Sequence, residues 1–448
     1  MAKKSTAKSI SPRYLVHAAL SRIESDGAFT DIVLSHLFEK QDYPQRDRAF
    51  VNHIVRGVVC WKKKLDWIIN QVFRGSNDDL PDDIRWILWQ GLYQILYMKV
   101  PPFAAVNESV TLVRRIKKHR WAGVVNGVLR SYIRSPSQVR LPKKAEDPVG
   151  YLSISESHPE WMVRRWIDQF GYETAQNVCR ANNTIPMLSV RLNVKQLGRD
   201  DFIDLLKQHN AVWYESGIPG FFKIESLDYR VRQMCLENGW ITIQDESAGL
   251  VGLLVHESAG KVIVDVCAGP GGKSTHLAEM ADENTRVISC DVHDHRIGLI
   301  KTAAQRLKMS SVLIRADARY VPFKDVDTIL LDAPCSGFGV IRKKPDIKWK
   351  RNITDLKELH SLQSSMLWEA GRSVRAGGQI IYSTCTIDLD ENDRLVEDFT
   401  RKNPQFVLVP PSSSVITKEF LSAEGSVKTW PHIHEMDGSF AVKLVNMN

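Results

Sequence analysis

Two cysteines hold most of the chemistry that this sequence could perform. Cys335 sits in DAPCSG and Cys385 in YSTCT, each at the end of an apolar run that reads as a strand. A lone cysteine is most often an inert buried hydrophobe, but two at the ends of strands that also carry aspartates are placed to react. Those aspartates are Asp265, Asp291, Asp317 and Asp332, each closing an apolar run. Ligands of an open α/β sheet bind outside the carboxyl ends of its strands, so thiols and carboxylates would share one edge. A thiolate can add to carbon 6 of a cytosine ring and drive electron density onto carbon 5. Carbon 5 then takes a methyl group, a base removes its proton and the thiol leaves. Polar groups must also hold the Watson–Crick edge of the unstacked base, a task expected of Asp332 and the Pro334 carbonyl.

The loop CAGPGGK, made of Cys267, Ala268, Gly269, Pro270, Gly271, Gly272 and Lys273, follows the first of these strands and opens onto a helix amino terminus. Its glycines let the backbone approach a ligand closely. It does not spell the GxGxxG of a dinucleotide site. Gly272, Lys273 and Ser274 fit the end of a phosphate loop, but Cys267 stands where the first glycine belongs. TILLDAP resembles the strand and aspartate that hold magnesium in ATPases, so nucleotide hydrolysis is the second reading. Asp291 favours another ligand, because an acidic residue ending the second strand suits the ribose hydroxyls of an adenosine cofactor. Asp317, ending the third, could reach its adenine amino group. This pattern fits S-adenosylmethionine better than ATP. The seven cysteines are scattered without a CxxC pair, and His293 with His295, or His432 with His434, lack further ligands. Neither a disulfide framework nor a metal is expected.

These residues need a scaffold, and the patterning supplies one. The last part of the chain alternates strands (KVIVDV, RVISCD, SVLIRAD, TILLDAPC, QIIYSTC) with helical runs, which implies a parallel sheet flanked by helices. The first third reads as helices: Ser11 and Pro12 form a cap and first turn, and Ile84 to Val100 is apolar nearly all round, as in a helix at the centre of a bundle. Ser135 to Gly150 carries three prolines and few large apolar residues and reads as a boundary. Beyond it, MLSVRLNVK alternates as a half-buried strand with a polar, basic face, followed by the helical run DDFIDLLKQH and the strand candidates AVWY and FFKIES. The expected division is residues 1–145 helical, 146–237 small α+β, and 238–448 α/β.

Charge points to the partner. The chain has 448 residues, a net charge of +8 and 25% charged residues, an ordinary globular composition with room for several cores. From Arg114 through Lys144 there are ten lysines and arginines and no acidic residue. A solvated helix face usually mixes signs, so contact with nucleic acid is the stronger reading. The basic start MAKKSTAKSISPR lacks the apolar stretch of a signal peptide, and no run is apolar enough to span a bilayer. A cytoplasmic enzyme without membrane contact is expected.

Four motifs in order, DVCAGPGGKS, LLDAPCSGFGVIRKKPDIKW, YSTC followed by DENDRLVEDF, and DGSFAVKL, together resemble the RNA cytosine-5 methyltransferases. The front segments RDRAFVNHIVRGVVCWKKKLDWII and PPFAAVNESVTLVRR through VVNGVLR resemble the NusB-like domain fused to bacterial 16S ribosomal RNA cytosine-5 methyltransferases. SHPEWMVRRW and RLNVK resemble that subfamily's middle domain. The resemblance implies an all-α NusB-like bundle, a small α+β (RRM-like) domain and a Rossmann-like methyltransferase domain that uses S-adenosylmethionine on structured RNA, 16S rRNA or alternatively transfer RNA. It implies Cys385 as the nucleophile and Cys335 as the group assisting proton removal or product release. The cofactor would lie against Cys267 to Lys273, with Asp291 on the ribose, Asp317 near the adenine and Asp332 between methyl donor and base. Lys273 could serve cofactor or substrate. The family pattern often has alanine where this chain has Gly269, a change that a glycine-rich loop should tolerate. A non-catalytic RNA-binding assembly factor would have no need of both thiols and the strand-end aspartates.

Overall fold

The structure is a computed structural model that describes residues 11–39, 41, 43–75, 79–257 and 260–448. Most of the basic start therefore lies outside the described residues. The chain divides into two compact units, Met1–Asn183 with Lys344–Lys350, and Thr184–Lys343 with Arg351–Asn448. Among the described residues, no helix is long and apolar enough to cross a membrane.

The first unit is all helical. Ser11 takes the cap position and Pro12 the first turn of Pro12–Ser25, which buries Leu15, Ala19 and Ile23 as their spacing predicts. The central helix is Asp82–Leu96 and buries Trp86, Trp89 and Tyr93, so its aromatics are core. It stops short of the expected Val100 because Lys99 turns to a positive φ of 53° and Pro101 disfavours helix in the residue before it. The unit also continues past the expected boundary at 145. Helices Pro148–Ser155, Glu160–Phe170 and Tyr172–Asn182 belong to it, and Lys63 of the long helix Gln45–Val72 donates to Ser153 Oγ at 2.6 Å. The short stretch Lys344–Lys350 completes this unit. Its fully buried Lys348 donates to Asn183 Oδ1 at 2.6 Å, Cys60 O at 3.2 Å and Ser157 O at 3.3 Å.

The second unit contains two sheets. The smaller comprises β1 (Leu188–Leu192), β2 (Val212–Glu215), β3 (Phe221–Ser226) and β4 (Ile241–Ile243), in the order β2-β3-β1-β4. The larger uses β5 (Val262–Asp265), β6 (Arg286–Asp291), β7 (Val312–Arg315), β8 (Val326–Asp332), β9 (Val374–Thr384), β10 (Phe406–Leu408), β11 (Val427–Thr429) and β12 (Ser439–Asn446). Its order is β10-β12-β9-β8-β5-β6-β7, with β11 paired to β12. The five strands expected from the sequence pair in parallel, whereas β10, β11 and β12 join antiparallel. The sheet is therefore mixed rather than purely parallel. The chain leaves β5 toward β6 on one side and returns to β8 on the other, and at such a switch point the loops part to leave a crevice.

One expectation about β1 reverses. The alternation predicts Arg191 and Asn193 on a polar face, but both are 1% exposed, while Val194 is 60% exposed. Arg191 turns inward because Glu279, on helix Gly272–Met280, offers it a carboxylate: Nη2 donates to Oε1 at 2.7 Å and Nε lies 2.6 Å from Oε2. Arg191 Nη1 also donates to the Gly272 carbonyl at 2.9 Å, which ties the small sheet to the glycine-rich loop. Burial opposes both charges, lowering the Arg191 pKa and raising that of Glu279. Arg191→Met should therefore destabilise the second unit by about 3–5 kcal/mol, because it strands a buried carboxylate. Urea unfolding checks this, and the double variant Arg191→Met with Glu279→Leu should recover most of the loss.

Candidate active site

The switch point gathers the residues singled out by type. At the end of β5, Asp265 is fully buried and accepts from Ser274 Oγ at 2.5 Å and from Cys267 N at 3.3 Å. It is a buttress under the loop. Desolvation raises its pKa to about 7. The loop then turns through a cis Gly269–Pro270 bond and Gly271 at φ 108°, a conformation that favours glycine. The amide of Ala268 donates to Cys290 O at 2.8 Å and that of Gly269 to Asp291 Oδ2 at 3.1 Å. Cys267 is an apolar wall, and burial pushes its thiol pKa well up.

Asp291 ends β6 at 3% exposure and also accepts from His293 N at 2.9 Å, with Arg296 Nη1 3.6 Å away. A Cβ on Gly269 would meet Asp291 Oδ2 at 2.5 Å and Arg296 Cδ at 2.7 Å. Alanine at this position would require both side chains to give way, and glycine leaves room for them. Beyond β7, Asp317 is gripped by Arg319, whose Nη2 donates at 2.6 Å and whose backbone N donates at 2.9 Å. Those hydrogen bonds lower the Asp317 pKa.

The thiols come next along the edge. Asp332 of β8 pairs in register with Ser383 of β9, so the chain segments after these strands leave side by side. Cys335 Sγ and Cys385 Sγ lie 3.2 Å apart. Lys273 Nζ donates to Asp332 Oδ2 at 2.8 Å, and Ser383 Oγ donates to Oδ1 at 2.8 Å. Burial alone would lower the Lys273 pKa, but the charges of Asp332 and Cys385 outweigh it and hold the ammonium above its ordinary value. The hydrogen bond to Cys385, with burial behind it, pushes the Cys335 thiol well up. The Pro334 carbonyl, expected to face a base, already accepts from Gln363 Nε2 at 2.9 Å. Downstream, Gly339 N donates to Cys385 O at 3.1 Å, and Gly438 N to Gly339 O at 2.9 Å. A Cβ at Gly339 would run into the Gly438 carbonyl, so the DGSF motif closes directly on the loop that follows Cys335.

Sequence comparison decides the family. Residues 253–445 match the 16S rRNA methyltransferase RsmB/F family, residues 10–134 the NusB family, and residues 158–218 the ferredoxin-like domain of RsmF/B-like methyltransferases. Ribosomal RNA small subunit methyltransferase B of Citrobacter koseri is 32% identical over 97% of this chain and 98% of its own. The chain belongs to the RsmB/F ribosomal RNA methyltransferase family. Among solved structures, PH0851 superposes with a TM-score of 0.77 at 23% identity, covering 97% of this chain and 99% of its own. NSun6 from Pyrococcus horikoshii, solved with SFG, gives 0.57 at 21% identity over 65% of this chain and 99% of its own. At such identities the two structures speak for the fold.

As an RsmB/F member the chain is an RNA methyltransferase whose methyl donor is S-adenosylmethionine. The loop from Cys267 to Lys273 fits such a donor, since Gly271 at positive φ lets the backbone turn tightly and the Asp291 carboxylate stands behind it as an acceptor. Among the described residues, no group of three His, Cys, Asp or Glu could hold a metal ion. In the NusB-like unit, nine of the ten basic residues between Arg114 and Lys144 are exposed, and the tenth, Lys118, lies 3.5 Å from Asp83. Sequence reasoning passed over Ser383, Arg296 and Arg319 and read Ser274 only as part of a possible phosphate loop, yet each holds one strand-end aspartate. Only their spacing of two to nine residues from a partner, or their position on the facing strand, could have signalled them. Asp265 yields a prediction. The unfolded carboxyl loses its proton near pH 4 and the folded one near pH 7, so its contribution is fully present below pH 4 and is lost as pH rises to 7. Asp265→Asn keeps an acceptor for Ser274. Relative to this variant, wild type should lose up to about 1.4 kcal/mol per pH unit across that window, as read from melting curves at stepped pH.

Proposed function

We propose that this RsmB/F enzyme methylates carbon 5 of a cytosine in 16S ribosomal RNA through a covalent bond from Cys385 to carbon 6. The observation that carries the reading is the pair of sulfurs 3.2 Å apart, beside the Lys273–Asp332 ion pair, at the ends of two adjacent parallel strands. S-adenosylmethionine supplies an electrophilic methyl group when bound, and Cys267, Ala268, Gly269, Pro270, Gly271, Gly272, Lys273, Asp291, Asp317 and Asp332 are assigned to hold it.

Each residue then has a task that its surroundings explain. The raised pKa of Cys335 keeps that thiol protonated, and its S–H can donate to the Cys385 sulfur, favouring the thiolate there. The Lys273 ammonium adds a positive charge near the same sulfur. Asp332, held on one oxygen by Lys273 and on the other by Ser383, is oriented to accept from the exocyclic amine of cytosine. When the Cys385 sulfur becomes a thioether it carries no negative charge, and the largest cause of the high Cys335 pKa disappears. Cys335 then passes its proton to solvent and, once carbon 5 carries the methyl group, its thiolate takes the carbon 5 proton; the electrons of that C–H bond reform the ring double bond, and the carbon 6–sulfur bond breaks with its electron pair returning to Cys385.

The test is methyl transfer from labelled S-adenosylmethionine to small-subunit ribosomal RNA, with the product mapped by bisulfite sequencing. Cys385→Ala should lower transfer by on the order of a thousandfold, while Cys335→Ala should accumulate a covalent RNA adduct stable to denaturation. Transfer surviving Cys385→Ala removes the nucleophile assignment, and modification of transfer RNA alone redirects the substrate. RNA backbone binding through the basic stretch is tested separately. Replacing Arg114, Lys117, Arg120 and Arg130 with glutamine should flatten the salt dependence of RNA binding by about 0.7–0.9 in log–log slope for each phosphate no longer neutralised. An unchanged slope removes the stretch from the interface.

A further inference from the structure

Two neighbouring buried residues outside the assigned site each reach one thiol's loop. Glu391 is 1% exposed and Asn392 3% exposed, and they lie in the DENDR turn that precedes helix Asp393–Lys402. Glu391 Oε2 accepts from Ser336 N at 2.8 Å and from Gln363 Nε2 at 2.8 Å. The same Gln363 nitrogen donates to Pro334 O at 2.9 Å. The residues on both sides of Cys335 are thus tied to one carboxylate. Asn392 does the equivalent for the other thiol: its Nδ2 donates to Thr386 O at 2.9 Å, and its Oδ1 accepts from Thr384 Oγ1 at 2.6 Å. The residues on both sides of Cys385 are tied to one amide. The two clamps are cross-braced by Ser336 Oγ and Thr386 Oγ1, 2.8 Å apart, and by Tyr382 OH donating to Glu391 O at 2.7 Å.

We propose that Glu391 and Asn392 are separate positioning residues for the two catalytic thiols, Glu391 setting the Cys335 loop and Asn392 the Cys385 loop. One peptide unit joins them, and consecutive Cα atoms across it are held about 3.8 Å apart. A rigid unit of that length carries both clamps, so the loops are registered to each other rather than each to the sheet alone. Burying a carboxylate and an amide is costly unless their hydrogen bonds are used, and the bonds formed here run to backbone and hydroxyl groups flanking the cysteines. Burial raises the Glu391 pKa, which makes a neutral acceptor an adequate replacement and gives the proposal a conservative variant.

The inference rests on the covalent reading above, and its consequence is kinetic. Neighbours in sequence should fail at opposite steps. In single-turnover reactions with full-length enzyme, small-subunit ribosomal RNA and labelled S-adenosylmethionine, Glu391→Ala should still form the Cys385 adduct, slowed only slightly by the weakened Cys335 hydrogen bond to that sulfur. It should resolve the adduct about 10–100-fold more slowly, the loss expected when a reacting group shifts by an ångström. Asn392→Ala should slow adduct formation by a similar factor without accumulation. Glu391→Gln, which keeps the acceptor for Ser336 and Gln363, should restore resolution to within about threefold, well short of that loss. Binding of S-adenosylmethionine by each variant, measured by calorimetry, shows whether the fold is kept. If Glu391→Ala does not fold, Gln363→Met removes only the hydrogen bonds to Pro334 and Glu391 and must itself accumulate adduct. The proposal is overturned if both alanine variants slow formation and resolution equally, if Gln fails to rescue Glu391, or if Gln363→Met resolves adduct at the wild-type rate. Absence of adduct in Cys335→Ala is a different failure, because it removes the covalent reading itself.

Discussion

The parallel register of β8 against β9 is the constraint on which the site depends. Pairing Asp332 with Ser383 fixes where both strands end, and a slip of one residue would turn every side chain to the opposite face. Each strand contributes to the other's chemistry at that level: Ser383 of β9 donates to the Asp332 carboxylate of β8. The two cysteines follow within three residues of the pairing, so the sheet brings their loops together, and the hydrogen bonds of those loops complete the 3.2 Å separation. The core beneath is correspondingly rigid, with Ile329, Leu331, Ile380 and Tyr382 fully buried. Packing and catalysis are thus one problem here, because loosening these strands would change the sulfur distance.

Around that register, ion pairs fix the remaining groups in layers. Asp265 holds Ser274 and so the start of the helix after the loop, Arg191 holds the Gly272 carbonyl at its other side, and Lys273 is left to reach Asp332. The small sheet therefore contributes to the geometry of the glycine-rich loop. A second set, Asp245 and Asp437 with Arg342 and Lys343, anchors the chain just after the Cys335 loop. Lys343 Nζ donates to Asp437 Oδ2 at 2.8 Å, and Arg342 Nε to its Oδ1 at 3.2 Å. Desolvation raises the Asp437 pKa to about 6, which marks how dry this anchor is.

What could be read from the sequence was set by how local each signal is. The strand ends were legible, since an apolar run stopped by Asp or Cys is visible without a partner. So was the central helix Asp82–Leu96, whose run from Ile84 is apolar on nearly all sides. Arg191 was misread because alternation assigns a cation to the outside unless a buried carboxylate awaits it, and Glu279 lies far along the chain. β4 is three residues long and gave no periodic signal, yet it completes the small sheet through its pairing with β1. The division after Asn183 was hidden for a related reason: prolines between Ser135 and Gly150 mark a break in helix, and contacts such as Lys63 reaching Ser153 and Cys60 reaching Asn183 show that the following helices stay in the same unit. Lys344–Lys350 looks in sequence like the continuation of a catalytic loop, and a buried lysine satisfied by Asn183 and two carbonyls cannot be foreseen from composition.

The hydrogen bonds at the strand edge also separate the two enzyme readings that the glycine-rich loop left open. A phosphate loop presents its lysine and its serine to a polyanion. Here Lys273 is bonded to Asp332 and Ser274 Oγ is bonded to the buried Asp265, so both are directed into the protein. Three strand-end carboxylates, Asp291, Asp317 and Asp332, line the same edge, and Arg296 and Arg319 lie against the first two. A triphosphate placed there would find the lysine and serine that should hold it already engaged, and Arg296 and Arg319 tied to carboxylates. On the proposed reading the Asp291 and Asp317 carboxylates are instead acceptors suited to the ribose hydroxyls and amino group of an adenosine tail. The bonds that occupy Lys273 and Ser274 leave the phosphate-loop reading without its donors, in keeping with the methyl donor that the family uses.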